Sequence, residues 1–299
     1  MLPRPFAAAL ACAAAATSAS AASPQLGLTV SADGSYSVTL DGTAWLASGA
    51  TAVAYNNLMH STASGSLKAD GAPTPVTGSN YTGYTQSFNG GLFVVEWQLY
   101  AQANAIVFVQ AFPKGLTGMA VNGGSSRDLA SSFPTFAFTP STSIGWLTWP
   151  EWRVHQRPRQ AHATTRQFVS HRSFHSHPHP THTHTPRSMC QGVTGIWTAA
   201  SLKSSGLSDD GGSPLVLYNK TAATVVLSTL RGYMTGNVGL YPSVGGNLGS
   251  GFNGMIQEVP AGWGHETVLI VGQGINDTVM AWGDLLLART GKHRHVPRI

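Results

Sequence analysis

From Gln25 to Phe112, apolar positions alternate with polar ones at the period of a half-buried β-strand. In "LGLTVSADGSYSVTLDGTAWLASG" the alternation breaks at Asp33-Gly34 and Asp41-Gly42, pairs that tolerate positive φ and so predict tight hairpin turns. Two longer runs, Leu92 to Tyr100 and Ala105 to Phe112, are rich in Val, Phe and Ile and are separated by a short polar turn. They predict neighbouring antiparallel strands at the centre of a sandwich. The pattern returns downstream in "SPLVLYN", "ATVVLSTL", "MIQEVPAG" and "ETVLIVGQG", short strands punctuated by turn residues.

Only after these strands does the period change to that of a helix. In "INDTVMAWGDLLLARTGK", Asn276 is expected to cap the first turn, Asp277 to favour its positive end, and Gly291 to close the helix. Val279, Trp282, Leu286 and Arg289 align down one side with Leu285 beside them, which gives one packing face.

Composition agrees with a globular, loop-rich β protein: 42% hydrophobic, 10% charged, and 34 glycines in 299 residues. Residues 1–22 join Arg4 to an apolar run, Phe6 to Ala16, and to small residues before a cleavage point near Ala22 or Ser23. That pattern predicts a secretory signal peptide, and hence a secreted or lumenal protein. No other apolar stretch approaches the roughly 20 residues that span a bilayer, so no membrane partner is expected. Triplets at Asn80, Asn219 and Asn276 are candidate N-glycosylation sites on that route.

The formal charge of +5 raises the question of nucleic acid, and its location answers it. Five arginines and eight of the twelve histidines lie between Val154 and Gln191, a stretch with no acid; the other 12 basic residues face 12 acids. A neutral body has no basic stripe for a phosphate backbone, so no nucleic-acid partner is expected. The stretch 154–191 is low in complexity and also holds Cys190, which is unpaired if Cys12 leaves with the signal peptide. His175, His177, His179, His182 and His184 offer imidazoles to a metal, but prolines and threonines between them give no preformed geometry; only adventitious binding follows, and no metal site is assigned. Two origins fit the segment. His-Thr-His-Thr is what a CACACA repeat encodes, and removing the 38 residues in phase would join "WLTWPEWR" to "GVTGIWTAAS", as for a retained intron. Alternatively it is a translated, disordered insert. Transcript sequencing separates the two.

Several strings carry a resemblance. "FPKGLTG", "SSFPTF", "SPLVLYN" and above all "GQGINDTVMAWGDLLLARTGKHR" resemble the amino-terminal region of protist glycoside hydrolases similar to α-galactosidases and raffinose-synthase relatives. The resemblance covers most of Ser23 to Arg294. It implies a large β-sandwich, a linking helix and then a (β/α)8 barrel whose strand ends bear the two catalytic carboxylates. No position of this chain matches those carboxylates, so no catalytic residue is assigned.

The acids present have simpler readings. Asp209-Asp210 sits in a glycine-rich turn, Glu96 on the outward face of a strand, Asp277 and Asp284 on the helix, and Glu258 and Glu266 beside a turn. "VGQGIN" lacks the third glycine of a dinucleotide fingerprint, and no cofactor is expected. "GWLTWPEW" sets Trp146, Trp149 and Trp152 within seven residues, as sugar-stacking platforms or as core and interface anchors.

The fold expected is mainly β: a large antiparallel, supersandwich-like β-sandwich with one C-terminal amphipathic helix and a disordered His/Arg/Pro-rich insert. Its expected parts are signal peptide 1–22, sandwich 23–153 plus 192–274, insert 154–191, helix 275–291 and a patternless tail 292–299. The function expected is that of a non-catalytic sandwich domain of a secreted α-galactosidase-like hydrolase, inactive alone. It would meet carbohydrate and, through Val279, Trp282 and Leu286, a catalytic barrel. The alternative is a secreted carbohydrate-binding or adhesive β-sandwich without an enzyme attached.

Overall fold

The computed structural model describes residues 22–120, 124–125, 128–137, 139, 141–149, 193–198, 201, 214–232, 235–241 and 245–292. Two early hairpins give β1 (Leu26–Val30), β2 (Tyr36–Leu40) and β3 (Thr43–Ala47), then β4 (Ala52–Tyr55) and β5 (Leu58–Ser61). An unbroken meander follows through β6 (Thr74–Thr77), β7 (Thr82–Phe88), β8 (Phe93–Tyr100) and β9 (Ala105–Phe112). Short strands β10 (Leu116–Thr117), β11 (Ser131–Ser132) and β12 (Thr135–Phe136) lead to β13 (Ser141–Thr148), and β14 (Val193–Trp197) pairs with it. The last strands are β15 (Leu215–Asn219), β16 (Ala223–Arg231), β17 (Gly236–Leu240), β18 (Leu248–Phe252), β19 (Glu258–Val259) and β20 (Trp263–Gln273), and helix α1 (Ile275–Thr290) follows directly.

One layer is a nine-stranded antiparallel sheet ordered β14-β13-β15-β16-β20-β9-β8-β7-β6. The expected pairing of the two central runs holds: Val94 faces Ala111 and Tyr100 faces Ala105, with a 3₁₀ turn at Ala101–Ala103 and Asn104 in the left-handed region between them. Two of the early strands also meet as expected. Asp41 and Gly42 have φ of 49° and 76°, the double positive φ of a hairpin turn between β2 and β3.

The second layer is a mosaic of three three-stranded sheets, β1-β2-β3, β11-β4-β5 and β12-β18-β17. Backbone hydrogen bonds stitch them together: Gly49 N–H donates to Thr135 O at 2.7 Å, Ala54 N–H to Ala130 O at 2.7 Å, and Phe133 N–H to Ser250 O at 2.8 Å. β18 passes so close to the β11 segment that a Cβ on Gly251 would collide with the carbonyl oxygen of Ser131. "MIQEVPAG" departs from expectation, since only Glu258 and Val259 pair, with Thr117 and Leu116, before Pro260 removes the next donor.

The main core fills the space between the layers. Trp97, Phe93, Phe108, Phe112, Phe133, Phe136 and Phe252 are fully buried there, with Tyr36 making edge contacts to Trp97 and Phe133. A polar stratum crosses this core. Gln110 Nε2 donates to Phe133 O at 2.7 Å and Ser250 O at 3.3 Å, Ser250 Oγ lies 2.7 Å from Thr267 Oγ1, and Thr267 Oγ1 lies 3.3 Å from His265 Nε2. His265 is wholly buried, and burial pushes its imidazole down to about 4.

A second core lies on the outer face of the large sheet, under α1. Ala105, Val107, Val216, Val226, Leu230, Val268 and Ile270 are buried there, and Val279, Trp282, Leu285 and Leu286 of the helix pack onto them. Val279, Trp282 and Leu286, expected to meet a catalytic barrel, thus pack instead on this chain's own sheet, because the outer face of that sheet is itself apolar. Gly291 closes the helix at φ 66°, as expected. Asn276 is not its cap. The cap position falls on Gly274, and Thr278 Oγ1 donates to Gly274 O at 2.6 Å, while the Asn276 amide turns to Asp277.

Candidate functional site

Side chains of β8 alternate between the two faces of the sheet. Phe93, Val95 and Trp97 enter the main core, so Glu96, Gln98 and Tyr100 stand on the outer face, beside the edge of the α1 cluster. Tyr81, just ahead of β7, leans over the same strip. Its hydroxyl donates to Glu96 Oε1 at 3.0 Å, Gln98 Nε2 donates to the same oxygen at 2.9 Å, and the Tyr100 hydroxyl donates to Gln98 Oε1 at 3.0 Å. The rings of Tyr81 and Tyr100 lie 5.3 Å apart at 41°. Burial, then the hydrogen bond to Glu96, raises the Tyr81 phenol above its ordinary range; burial raises Tyr100.

Glu96 pairs with Val109 across one strand, and Val109 pairs with Glu266 across the next. The two carboxylates thus share a row at a backbone spacing of about 10 Å. Glu266 is 7% exposed and is clamped by arginines from two directions: Arg289 Nη2 lies 2.7 Å from Oε2, and Arg231 Nη1 lies 3.8 Å from Oε1. This clamp fastens the C-terminal end of α1 to β20. Nothing beside Glu266 in the sequence identifies its partner; the sign available is a carboxylate opening the apolar run "ETVLIV" with an arginine at the end of the helix face.

Between the strip and the clamp lies a cleft of about 260 Å³ lined by Tyr100, Val107, Leu230, Leu285, Ala288 and Arg289. Its walls are mainly apolar, and Tyr100 belongs to both strip and cleft.

The tryptophans separate rather than gather. Trp146, 1% exposed, points into the main core, where its indole N–H reaches Ile196 O at 3.1 Å and Ser201 Oγ at 3.2 Å. Trp149, three residues on and so on the opposite face, packs partly buried against the α1 cluster. Trp152 lies outside the described residues, as do Asp209-Asp210, Cys12, Cys190 and the whole stretch 154–191 with its histidines. Asn80 and Asn276 are exposed, whereas Asn219 Oδ1 accepts from Thr221 N–H, Thr221 Oγ1 and Ala223 N–H in the β15–β16 turn.

Among the described residues there is no group of three or more His, Cys, Asp or Glu side chains that could hold a metal ion. No helix among them is long and apolar enough to cross a membrane.

The chain matches no protein-family model and no curated protein by sequence. Solved structures do match by fold. The ligand-free α-N-acetylgalactosaminidase NagBb from Bifidobacterium bifidum is similar at a TM-score of 0.50 and 8% identity, over 88% of this chain and 37% of that one. Its GalNAc complex gives 0.50 and 7% over 90% and 38%, and its quadruple mutant 0.52 and 8% over 88% and 38%. The chain thus spans well under half the length of these enzymes. It has a glycoside-hydrolase-like β-sandwich fold.

Proposed function

We propose that this chain is the non-catalytic β-sandwich portion of a secreted glycoside hydrolase of the α-galactosidase type, and that it supports a catalytic (β/α)8 barrel. The observation that carries this reading is the fold likeness itself, which takes in 88% of this chain but only 37% of an α-N-acetylgalactosaminidase chain. A helix that follows the last strand and lies clamped on the sheet by Glu266 and Arg289 suits a connector that must hold the next unit in a fixed pose. Carbohydrate would then be met through the assembled enzyme, with Trp152, three positions after Trp149 in the sequence, as one contact. A mature protein beginning near Ser23 and bearing glycans on exposed Asn80 and Asn276 belongs to the same reading, and Edman sequencing and deglycosylation shifts measure both.

Two measurements test the proposal. Transcript sequence beyond the Ile299 codon is expected to run into barrel strands ending in carboxylates; a stop codon there in the mature message overturns it. The purified chain, given nitrophenyl α-galactoside and nitrophenyl α-N-acetylgalactosaminide, is expected to release no phenol above buffer. Turnover that disappears in Glu96→Gln or Glu266→Gln would mean that the sandwich itself is the catalyst.

A further inference from the structure

The outer strip beside α1 has unused capacity of a specific kind. Glu96 spends Oε1 on two donors, while Oε2 meets no partner among the described residues. Gln98 donates one of its two amide hydrogens to Glu96, which leaves the other free to bond, and both phenol oxygens keep lone pairs after donating their protons. Acceptor and donor therefore stand two residues apart on one strand face, flanked by two tyrosine rings.

We infer that Tyr81, Glu96, Gln98 and Tyr100, with the adjoining cleft, form a binding site for a neutral pyranose sugar at the end of a glycan. A vicinal pair of hydroxyls matches the polar part: one donates to Glu96 Oε2 and its neighbour accepts from the free Gln98 N–H. The apolar C–H face of the ring matches the tyrosines. A substituent on the sugar, such as a methyl or acetamido group, has room to enter the mainly apolar cleft of about 260 Å³.

The charges select against other ligands. An anion would meet Glu96, and the cation that lines the cleft, Arg289, is already engaged with Glu266 at 2.7 Å. An apolar helix or aromatic side chain would bury the free Glu96 oxygen without a donor. The site lies wholly within this chain and needs no barrel, so it stands or falls independently of the connector reading.

The test uses the purified full chain with methyl α-galactopyranoside and methyl α-N-acetylgalactosaminide at millimolar concentration. Saturable binding by calorimetry is expected, with saturation transfer strongest to protons of one ring face and to the methyl substituent. Tyr100→Ala and Glu96→Gln are each expected to weaken binding by about tenfold or more, and Tyr81→Phe, which keeps the ring, by less. Near-UV circular dichroism checks that each variant is folded. If a variant fails to fold, the saturation-transfer pattern on the unaltered chain decides. Absence of saturable binding, uniform transfer to all sugar protons, or binding that survives both Tyr100→Ala and Glu96→Gln in folded protein overturns the site.

Discussion

The buried imidazole of His265 makes stability depend on acid in a calculable way. Its ring is enclosed by Phe252, 5.3 Å away, by Thr267 and by the close backbone at Gly236, and its Nδ1 has no hydrogen-bond partner among the described residues. The fold therefore holds the neutral ring, with a midpoint of about 4 against 6.5 for the free side chain. Above about pH 6.5 both folded and unfolded chains carry neutral His265, and this residue adds no pH dependence. Below that, the unfolded chain takes up a proton that the fold refuses, so stability falls with pH until the folded ring protonates near 4. The loss from this one group is about 2 kcal/mol by pH 5 and about 3 kcal/mol by pH 4. Urea unfolding at several pH values, for the natural chain and for His265→Gln, isolates it from the other titrating groups. The variant is expected to lose less stability than the parent across that window, by about those amounts. Parallel curves for the two proteins, or an NMR titration of the His265 ring with a midpoint above 6, would refute the reasoning.

Three substitutions in the outer core have expected outcomes of their own. Trp282→Ala removes the largest side chain that α1 lays on the sheet and is expected to cost about 2 kcal/mol, below the ~3–5 kcal/mol of a fully buried site, with increased dye binding to the uncovered face. Trp282→Phe is expected to cost much less, because the indole N–H is buried without a partner among the described residues and its loss offsets part of the lost packing; equal costs in thermal melts would contradict this. Among the described residues, Arg289→Ala leaves nearly buried Glu266 with only the more distant Arg231. Arg289 is itself 54% exposed, so about 1 kcal/mol is expected, together with faster amide exchange in the last turn of α1 and a smaller difference at high salt.

What the sequence made legible was local. Alternation located β8 and β9, the Asp41-Gly42 pair located a hairpin, and the 3.6 period with Gly291 located α1, because each is set by neighbouring residues. What it concealed depends on distant partners. Whether Trp146 and Trp149 share a face follows from strand parity, but that one enters the core and the other meets α1 is fixed only by the arrangement of layers. Glu266 looked isolated because its arginines arrive from the end of β16 and from the helix, 35 and 23 residues away. The capping expectation for Asn276 failed because Gly274, at φ 84°, turns the chain sharply out of β20 and lets Thr278 bond back to it. The tyrosine strip gave no sequence signal, since Tyr81 and Tyr100 meet only once β7 and β8 pair.

The order of the large sheet places β20, the last of its nine strands along the chain, between β16 and β9. Every strand on one side of it comes from the first 112 residues, and every strand on the other from 141 to 231. A nascent chain can thus assemble two four-stranded ribbons while their inner edges, β9 and β16, wait open for an insert not yet synthesised. Those edges are unpaired, apolar and central, the combination most prone to intermolecular pairing. Release of the polypeptide before Gln273 would leave two sticky half-sheets, so completion of β20 decides whether the sandwich closes its own central edges or offers them to other chains.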